Sequence, residues 1–322
     1  MTDTDPALIT VVIPSWNKRD HLAQCLDSLV AQTYAHVQIV VVDNASTDGS
    51  ADMVAADYPD VTLLRQSRNH GIAGGVNRGI AAAKGNCIAL LNQDAVADRN
   101  WVAELAKLVE SDQRIGVVQS KMLRVTDGST PIFDSSGDQY SLWGRPRARD
   151  RDRPDAGQRE QVEEVFSACG GASLYTRAVI DDVGTFDEDF FLYYEDTDLS
   201  FRARLKGYKV VYCPTALVSH HVGLSSKESP SALIRFHVVK NLHLLYFRNM
   251  PTRLMALSWP LFTVTLAGAA VNSLRRGVFK AHLRALWWLV RNSRRVLAER
   301  REIQGSRRVT TAELRRFVKL RP

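Results

Sequence analysis

The strongest constraint on the fold is a six-residue run, residues 37–42, in which only Gln38 is polar. So apolar a segment has no face to offer water, which suits a parallel strand covered on both sides by helices. Two further runs share its form: residues 8–13, closed by Pro14, and residues 88–91, which follow a turn at Gly85 and Asn86. Between the first two, residues 19–32 place Leu22, Cys25, Leu26 and Leu29 at helical spacing, with Asp20 as the expected N-cap. Residues 51–58 and 101–110 read as further helices, and residues 61–64 and 115–121 as further strands. Strand and helix therefore alternate through the first half. That order predicts an α/β fold: a Rossmann-like, mostly parallel central sheet with flanking helices.

In such sheets ligands collect beyond the carboxyl ends of the strands. Three ends here are polar: Ser15, Trp16 and Asn17; Asp43 and Asn44; and Asn92, Gln93 and Asp94. Each alone reads equally well as turn chemistry. Three together favour one shared nucleotide-type site. Residues 69–79 add Gly71, Gly74, Gly75 and Gly79 among Asn69, Asn77 and Arg78. Glycines that dense mean either close approach of the backbone to a ligand or a helix packed tightly on the sheet. The spacing matches neither a dinucleotide fingerprint nor a P-loop.

The second half begins differently. Residues 129–160 are rich in Arg, Asp, Gly and Pro. They read as a solvated, mobile loop, with a lid whose arginines meet phosphate as the alternative. Ordered sequence resumes at 165–175, around Gly170 and Gly171. Residues 186–199 then interleave aromatics with acids, and Glu195, Asp196 and Asp198 open a helical segment. Acids in a first turn suit the helix dipole and need mean no more. A carboxylate at an apolar edge can also serve as a general base, and an aromatic wall such as Tyr194 can pack against a sugar. A strand at 209–214 leads on to His220 and His221. His220 alone would be a hydrogen-bonded structural group. Paired with Asp94 it would form an oxygen- and nitrogen-liganded site suited to Mg²⁺ or Mn²⁺, because no thiolate cluster is available for zinc.

Charge is unevenly placed. Residues 272–322 carry 15 Lys and Arg against three acids, while the whole chain is only +7. The apolar stretch 254–270 falls short of the roughly 20 residues that span a bilayer. With Trp259, Trp287 and Trp288 and the arginines beyond, residues 251–322 read as a basic amphipathic helical region on an anionic membrane surface. A homo-oligomeric helical interface is the alternative. No nucleic-acid motif accompanies the basic residues, so nucleic acid is not an expected partner. The four cysteines form no CxxC pair, and residues 1–7 carry no basic, apolar export signal. Both features predict a cytoplasmic body.

These residues carry a resemblance. The motifs at 11–17, 42–50, 69–79, 90–94 and 186–202, with His220 behind them, resemble family 2 glycosyltransferases of the inverting GT-A type. Within that family the chain is most similar to the bacterial rhamnosyltransferase-like branch. The resemblance implies a catalytic domain over 1–230, with a nucleotide-sugar half at 1–125 and an acceptor and catalytic-base half at 160–230, followed by the helical region 231–322. It implies donor contacts from Pro14, Ser15, Asn17, Asp43, Asn69, Gly74, Asn77, Asn92, Gln93 and Asp94. Asp94 and His220 would hold the metal, although Asn92 stands where a full DxD motif has its first acid. Asp196 would be the catalytic base, with Gly170, Gly171, Tyr194, Glu195 and Asp198 on the acceptor side. The implied reaction moves L-rhamnose from dTDP-rhamnose to a glycan or polyprenyl-diphosphate-linked acceptor at the inner membrane face. A UDP-sugar donor carrying galactofuranose, glucose or N-acetylglucosamine is the alternative. A non-catalytic glycan- or nucleotide-binding protein of the same fold is another.

Overall fold

The computed structural model describes residues 7–124, 130–221 and 231–321. The expected boundary at 230, and all but the last residue of the segment read for an export signal, lie outside the described residues. The strands are β1 (Ile9–Ser15), β2 (Val37–Asp43), β3 (Thr62–Arg65), β4 (Cys87–Leu91), β5 (Ala95–Ala97), β6 (Ile115–Arg124), β7 (Ile132–Ser135), β8 (Asp138–Ser141), β9 (Pro146–Ala148), β10 (Glu163–Glu164), β11 (Ala172–Thr176), β12 (Lys209–His220) and β13 (Val318–Lys319). The helices are α1 (Arg19–Val30), α2 (Ser50–Asp57), α3 (Gly71–Ala82), α4 (Trp101–Ser111), α5 (Arg177–Val183) and α6 (Glu195–Leu205), then α7 (Ser231–Asn249), α8 (Thr252–Arg275), α9 (Phe279–Arg291), α10 (Ser293–Gly305) and α11 (Thr311–Arg315).

The main sheet runs β10-β12-β6-β11-β4-β1-β2-β3. The neighbours β3, β2, β1 and β4 are parallel, as are β6 and β12, and β11 runs antiparallel between β4 and β6. The runs read as two-sided strands are buried on both faces. One face packs on α1, α2 and α4 through Leu22, Leu26, Val54, Trp101 and Leu105. The other packs on α3, α5 and α6 through Val76, Ile80, Val179 and Leu199. Pro14 lies inside β1 rather than closing it. Pairing with β4 stops at Val12, so the proline falls where β1 keeps only β2 as a partner. The start of α1 also differs. Lys18 is the left-handed cap residue, and the Asp48 carboxylate, not Asp20, accepts the Arg19 N–H at 3.0 Å.

Residues 130–150 are not a solvated loop, whereas residues 151–160 are irregular and largely exposed, as expected. The former stretch holds β7, which pairs with β6, and the β8–β9 hairpin of a second sheet. Phe133 and Tyr140 are fully buried. The charges that made the segment look solvated satisfy one another: Arg149 meets Glu163 at 2.7 Å and Arg159 meets Asp150 at 2.7 Å. Arg149 and Arg159 thus have carboxylate partners, while Arg145 and Arg147 in the same segment are exposed.

The C-terminal region is built into the body. Tyr140, Leu142, Phe166 and Phe201 share a core with Leu245, Tyr246, Phe262, Leu314 and Val318. Tyr246 and Phe262 stack at 3.8 Å, and Phe262 is fully buried. Burying a side chain of that size stabilises by about 1.5–3 kcal/mol. The last strand, β13, pairs parallel with β8. The apolar stretch expected at 254–270 is the middle of a 24-residue helix, α8, long and apolar enough by length and composition to cross a membrane. The added length comes from Thr252 and Arg253 at one end and Val271, Asn272, Ser273, Leu274 and Arg275 at the other, mostly polar residues that a helix tolerates and an apolar count ignores.

Candidate active site

The carboxyl ends of β1, β2 and β4 open on one edge of the sheet. Gln93 ties two of them together. Its side-chain carbonyl accepts the Ser15 hydroxyl at 2.7 Å and the Trp16 N–H at 2.9 Å, and its amide donates to Trp16 O at 3.2 Å. Asn17, left-handed at φ 57°, joins β1 to the loop after β2. Its N–H donates to Ser46 Oγ at 2.8 Å, and its side-chain oxygen accepts the Thr47 N–H at 2.9 Å. Asp43 is buried at the end of β2, where its carboxylate accepts the Ser46 N–H at 3.3 Å. Beside these loops lies a cavity of about 590 Å³ lined by Asn17, Lys18, His21, Thr47 and Asp48. Pro14 is one residue short of the Gln93 clamp.

The glycine-rich segment resolves towards packing. A Cβ on Gly75 would come 2.7 Å from Asn44 Nδ2, and one on Gly79 would collide with Val12. Gly74 faces the His70 side chain, with a built Cβ 2.8 Å from His70 Cβ. Asn69 accepts the Gly71 N–H at 2.8 Å and starts α3. Asn77, expected at the donor, lies against the loop after α5. Both halves of its amide are taken by the Phe186 backbone, at 2.7 and 3.0 Å.

Beyond β4, Asp94 Oδ1 lies 3.1 Å from His220 Nε2, and Asn92 Nδ2 lies 3.4 Å from the same nitrogen. The other ring nitrogen of His220 lies 2.8 Å from Asp134 Oδ2. His220 ends β12, which runs on past Pro214 through a register shift between Cys213 and Leu217, so the histidine is carried on a strand. Burial alone would lower the imidazole pKa. Hydrogen bonds to Asp134 and Asp94 and their charges outweigh it, and the ring is pushed up to about 9. With the Nε2 proton displaced, the donor set fits a hard divalent cation. Neighbouring ligands about 2.1 Å from an octahedral Mg²⁺ sit about 3.0 Å apart, close to the Asp94–His220 spacing. A carboxylate on the far ring nitrogen is the usual orienting partner of a metal-binding histidine. Among the described residues no three His, Cys, Asp or Glu side chains form a ready-made cage.

The acidic motif stands next to this pair. Asn92 N–H donates to Gly171 O at 2.9 Å, and Gly170 N–H donates to Asp196 Oδ2 at 2.8 Å. Two consecutive glycines thus join the end of β4 to the start of α6. A Cβ on Gly171 would come 2.7 Å from Met122 Cε and 3.2 Å from Asn92 Nδ2, so the close approach depends on its absence. Asp196 also accepts the Thr197 N–H at 2.6 Å. Burial raises the Asp196 carboxyl pKa, and the bonds from Gly170 and Thr197 only partly offset it. Glu195 is buried, with one carboxylate oxygen unpartnered; burial and the Asp196 charge push it up to about 8. Asp138, half-buried on β8, is likewise pushed to about 8 by burial and then by Asp196 and Asp134. Tyr194, left-handed at φ 70°, is the residue before α6.

Asp198 does not join the acceptor side. It is fully buried, its carboxylate 2.8 Å from Arg202 Nε and accepting from Asn249 at 2.7 Å. One helical turn sets it against α7. Asp134 and Asp138 escaped the sequence reading because they lie in the segment taken for a loop. The alternation around Phe133 and Tyr140 was the available signal.

The family model for glycosyl transferase family 2 matches residues 10–184. The N-acetylglucosaminyl-diphospho-decaprenol L-rhamnosyltransferase of Mycobacterium tuberculosis is 28% identical over 263 residues, covering 74% of this chain and 82% of the relative. Among solved structures, a mannosyltransferase from Pyrobaculum calidifontis in complex with GDP-Man and Mn²⁺ aligns with a TM-score of 0.55 at 17% identity, covering 97% of this chain and 86% of that one. S. aureus TarS in complex with UDP-GlcNAc aligns with a TM-score of 0.59 at 15% identity, covering 93% and 91%. These structural likenesses place the fold in the GT-A class.

Proposed function

The chain belongs to glycosyl transferase family 2, and we propose that this nucleotide-sugar-dependent transferase works by inverting displacement, with Asp196 as the base. The observation that carries the reading is the glycine bridge, which ties Asp196 to the end of β4, where Asp94 meets His220 of β12. Asp196 takes the proton of an acceptor hydroxyl. The hydroxyl oxygen bonds to the anomeric carbon as the bond to the diphosphate breaks on the opposite side. The configuration inverts, the proton stays on the carboxylate, and the nucleoside diphosphate departs. Asp94 and His220 would hold Mg²⁺ or Mn²⁺, with Asp134 orienting the imidazole. When bound, the cation supplies positive charge to the leaving diphosphate.

The donor is a nucleoside-diphosphate sugar. Solved transferases with UDP-GlcNAc and GDP-Man support a hexose or N-acetylhexosamine donor, while the mycobacterial relative supports L-rhamnose. Calorimetry with UDP-GlcNAc, UDP-glucose, UDP-galactofuranose, GDP-mannose and dTDP-rhamnose in Mn²⁺ decides between them. Asp196→Asn should bind the chosen donor normally and lose transfer, and a variant that retained most of its turnover would remove Asp196 as the base.

The acceptor is read as a glycan or a polyprenyl-diphosphate-linked saccharide at the inner membrane face. Leu257, Trp259, Val264, Val271 and Leu274 on α8, and Leu283, Trp287 and Val290 on α9, are exposed. Exposed Arg275, Arg276, Lys280, Arg284 and Arg291 lie among them. Tyr246 and Ser258 hold α8 to the body at 2.8 Å, which favours lying on an anionic surface over spanning it. Trp259→Ser with Trp287→Ser should abolish flotation with phosphatidylglycerol vesicles and leave the fold intact. A wild-type protein that ignores such vesicles and dimerises would assign this face to an oligomer.

A further inference from the structure

The residues that lead into Asp196 hold an unfavourable backbone. Phe191, Tyr193 and Tyr194 are left-handed, with φ of 61°, 66° and 70°. Bulky side chains rarely adopt that region, and such geometry persists only where the surroundings enforce it. The enforcing group is on α7. The side-chain amide nitrogen of Asn241, fully buried, shares its two N–H groups among Phe190 O at 2.9 Å, Leu192 O at 2.8 Å and Tyr193 O at 2.8 Å. Three carbonyls converging on one amino group curl the loop. One turn earlier on α7, His237 stacks on the Phe191 ring at 5.0 Å and 21°.

The far side of the loop is pinned as well. Phe191 O accepts the Ile72 N–H, in the first turn of α3, at 2.7 Å. Gly71, at φ 72°, permits this approach, since a Cβ there would collide with Phe191 O. The loop is thus clamped between a donor-half helix and a helix of the C-terminal region. Asp196 begins its turn two residues after Tyr194, so any rotation of the loop carries its carboxylate away from Gly170.

We infer that Asn241 is a positioning residue for transfer, acting through the loop 190–194 to hold Asp196 against the acceptor hydroxyl; this rests on Asp196 being the base. Misplacing a reacting group by about 1 Å can cost on the order of 100-fold in rate. The test compares Asn241→Ala, Asn241→Asp and His237→Ala in steady-state transfer, with donor binding by calorimetry and thermal melting alongside. Asn241→Asp keeps the shape but turns an acceptor towards three carbonyls. Both Asn241 variants should lose at least about tenfold in kcat while donor Kd and donor KM stay within about twofold. His237→Ala should show the same signature more weakly. Tyr246→Phe, which loses its bonds to Ser258 and Met255 away from the loop, should lower the melting temperature and leave kcat unchanged. If the Asn241 variants do not fold, His237→Ala decides alone. Wild-type kcat in the folded variants, with Asp196→Asn inactive, would overturn the positioning role and leave the base in place. Turnover in Asp196→Asn would instead overturn the base.

Discussion

Two acids two residues apart, Asp196 and Asp198, should fail in opposite ways. Asp198 is fully buried, with Arg202 Nε at 2.8 Å and Asn249 donating at 2.7 Å. The two terminal nitrogens of Arg202 donate to Val183 O and Thr185 O. Asp198→Ala would leave that guanidinium buried without a counter-charge, which costs about 3–5 kcal/mol. Burial raises the Asp198 pKa, but Arg202, Arg248 and Asn249 outweigh it and hold the carboxyl below its usual range. Its contribution is therefore present above the unfolded value of about 3.9 and is lost as pH falls through the lower folded value. Asp196 is only half-buried, and its carboxyl pKa is raised, so the folded protein carries its charge at a cost. Asn at 196 removes that cost and forfeits one of two backbone N–H bonds, a net change within about 1 kcal/mol. Transfer should fall by a factor on the order of 100 to 10,000, the worth of a general base. Urea denaturation at pH 7 and a transfer assay on both variants provide the comparison. An Asp196→Asn protein as unstable as Asp198→Ala would refute the reasoning, as would an Asp198→Ala protein of wild-type stability.

Asp134→Ala should weaken Mn²⁺-dependent donor binding by about 10- to 100-fold, read by calorimetry with and without the metal, because it frees the His220 ring. Glu195→Gln should gain stability over the wild type as pH rises from about 4.5 to about 8 and hold that gain above it, read as the difference in melting temperature. The sign follows from a raised folded pKa: the wild type binds the proton more tightly when folded and loses that advantage as pH climbs. Gly71→Ala should cost at least about 1–2 kcal/mol in urea denaturation, since alanine resists the left-handed region and its Cβ meets Phe191 O.

What was legible in the sequence was what depends on near neighbours. The two-sided apolarity of β2 foretold a covered parallel strand, and the polar ends of β1, β2 and β4 foretold one shared edge. The aromatic–acidic run foretold a helix beginning at Glu195. Local reasoning could not separate Asp196 from Asp198, since both are acids of one first turn. The partners that divide them, Gly170 and Asn249, lie 26 and 51 positions away.

The strands within 130–150 are hidden from the sequence for the same reason, with a sharper consequence. Charge density suggests solvation, but an arginine counts as solvated only if no carboxylate is brought to it. Here Glu163 and Asp150 are brought to Arg149 and Arg159 by pairing of short strands. Phe133 is fully buried, and Tyr140 and Leu142 join the core shared with the C-terminal helices. Once seated, the segment delivers Asp134 to His220 and Asp138 to the neighbourhood of Asp196. Asp94 stands without a first acid at Asn92, and the strand after β6 returns a carboxylate to the site through the histidine. On the proposed reading that carboxylate would orient a ligand instead of binding directly, so the deficit at Asn92 would be met by geometry and not by added charge.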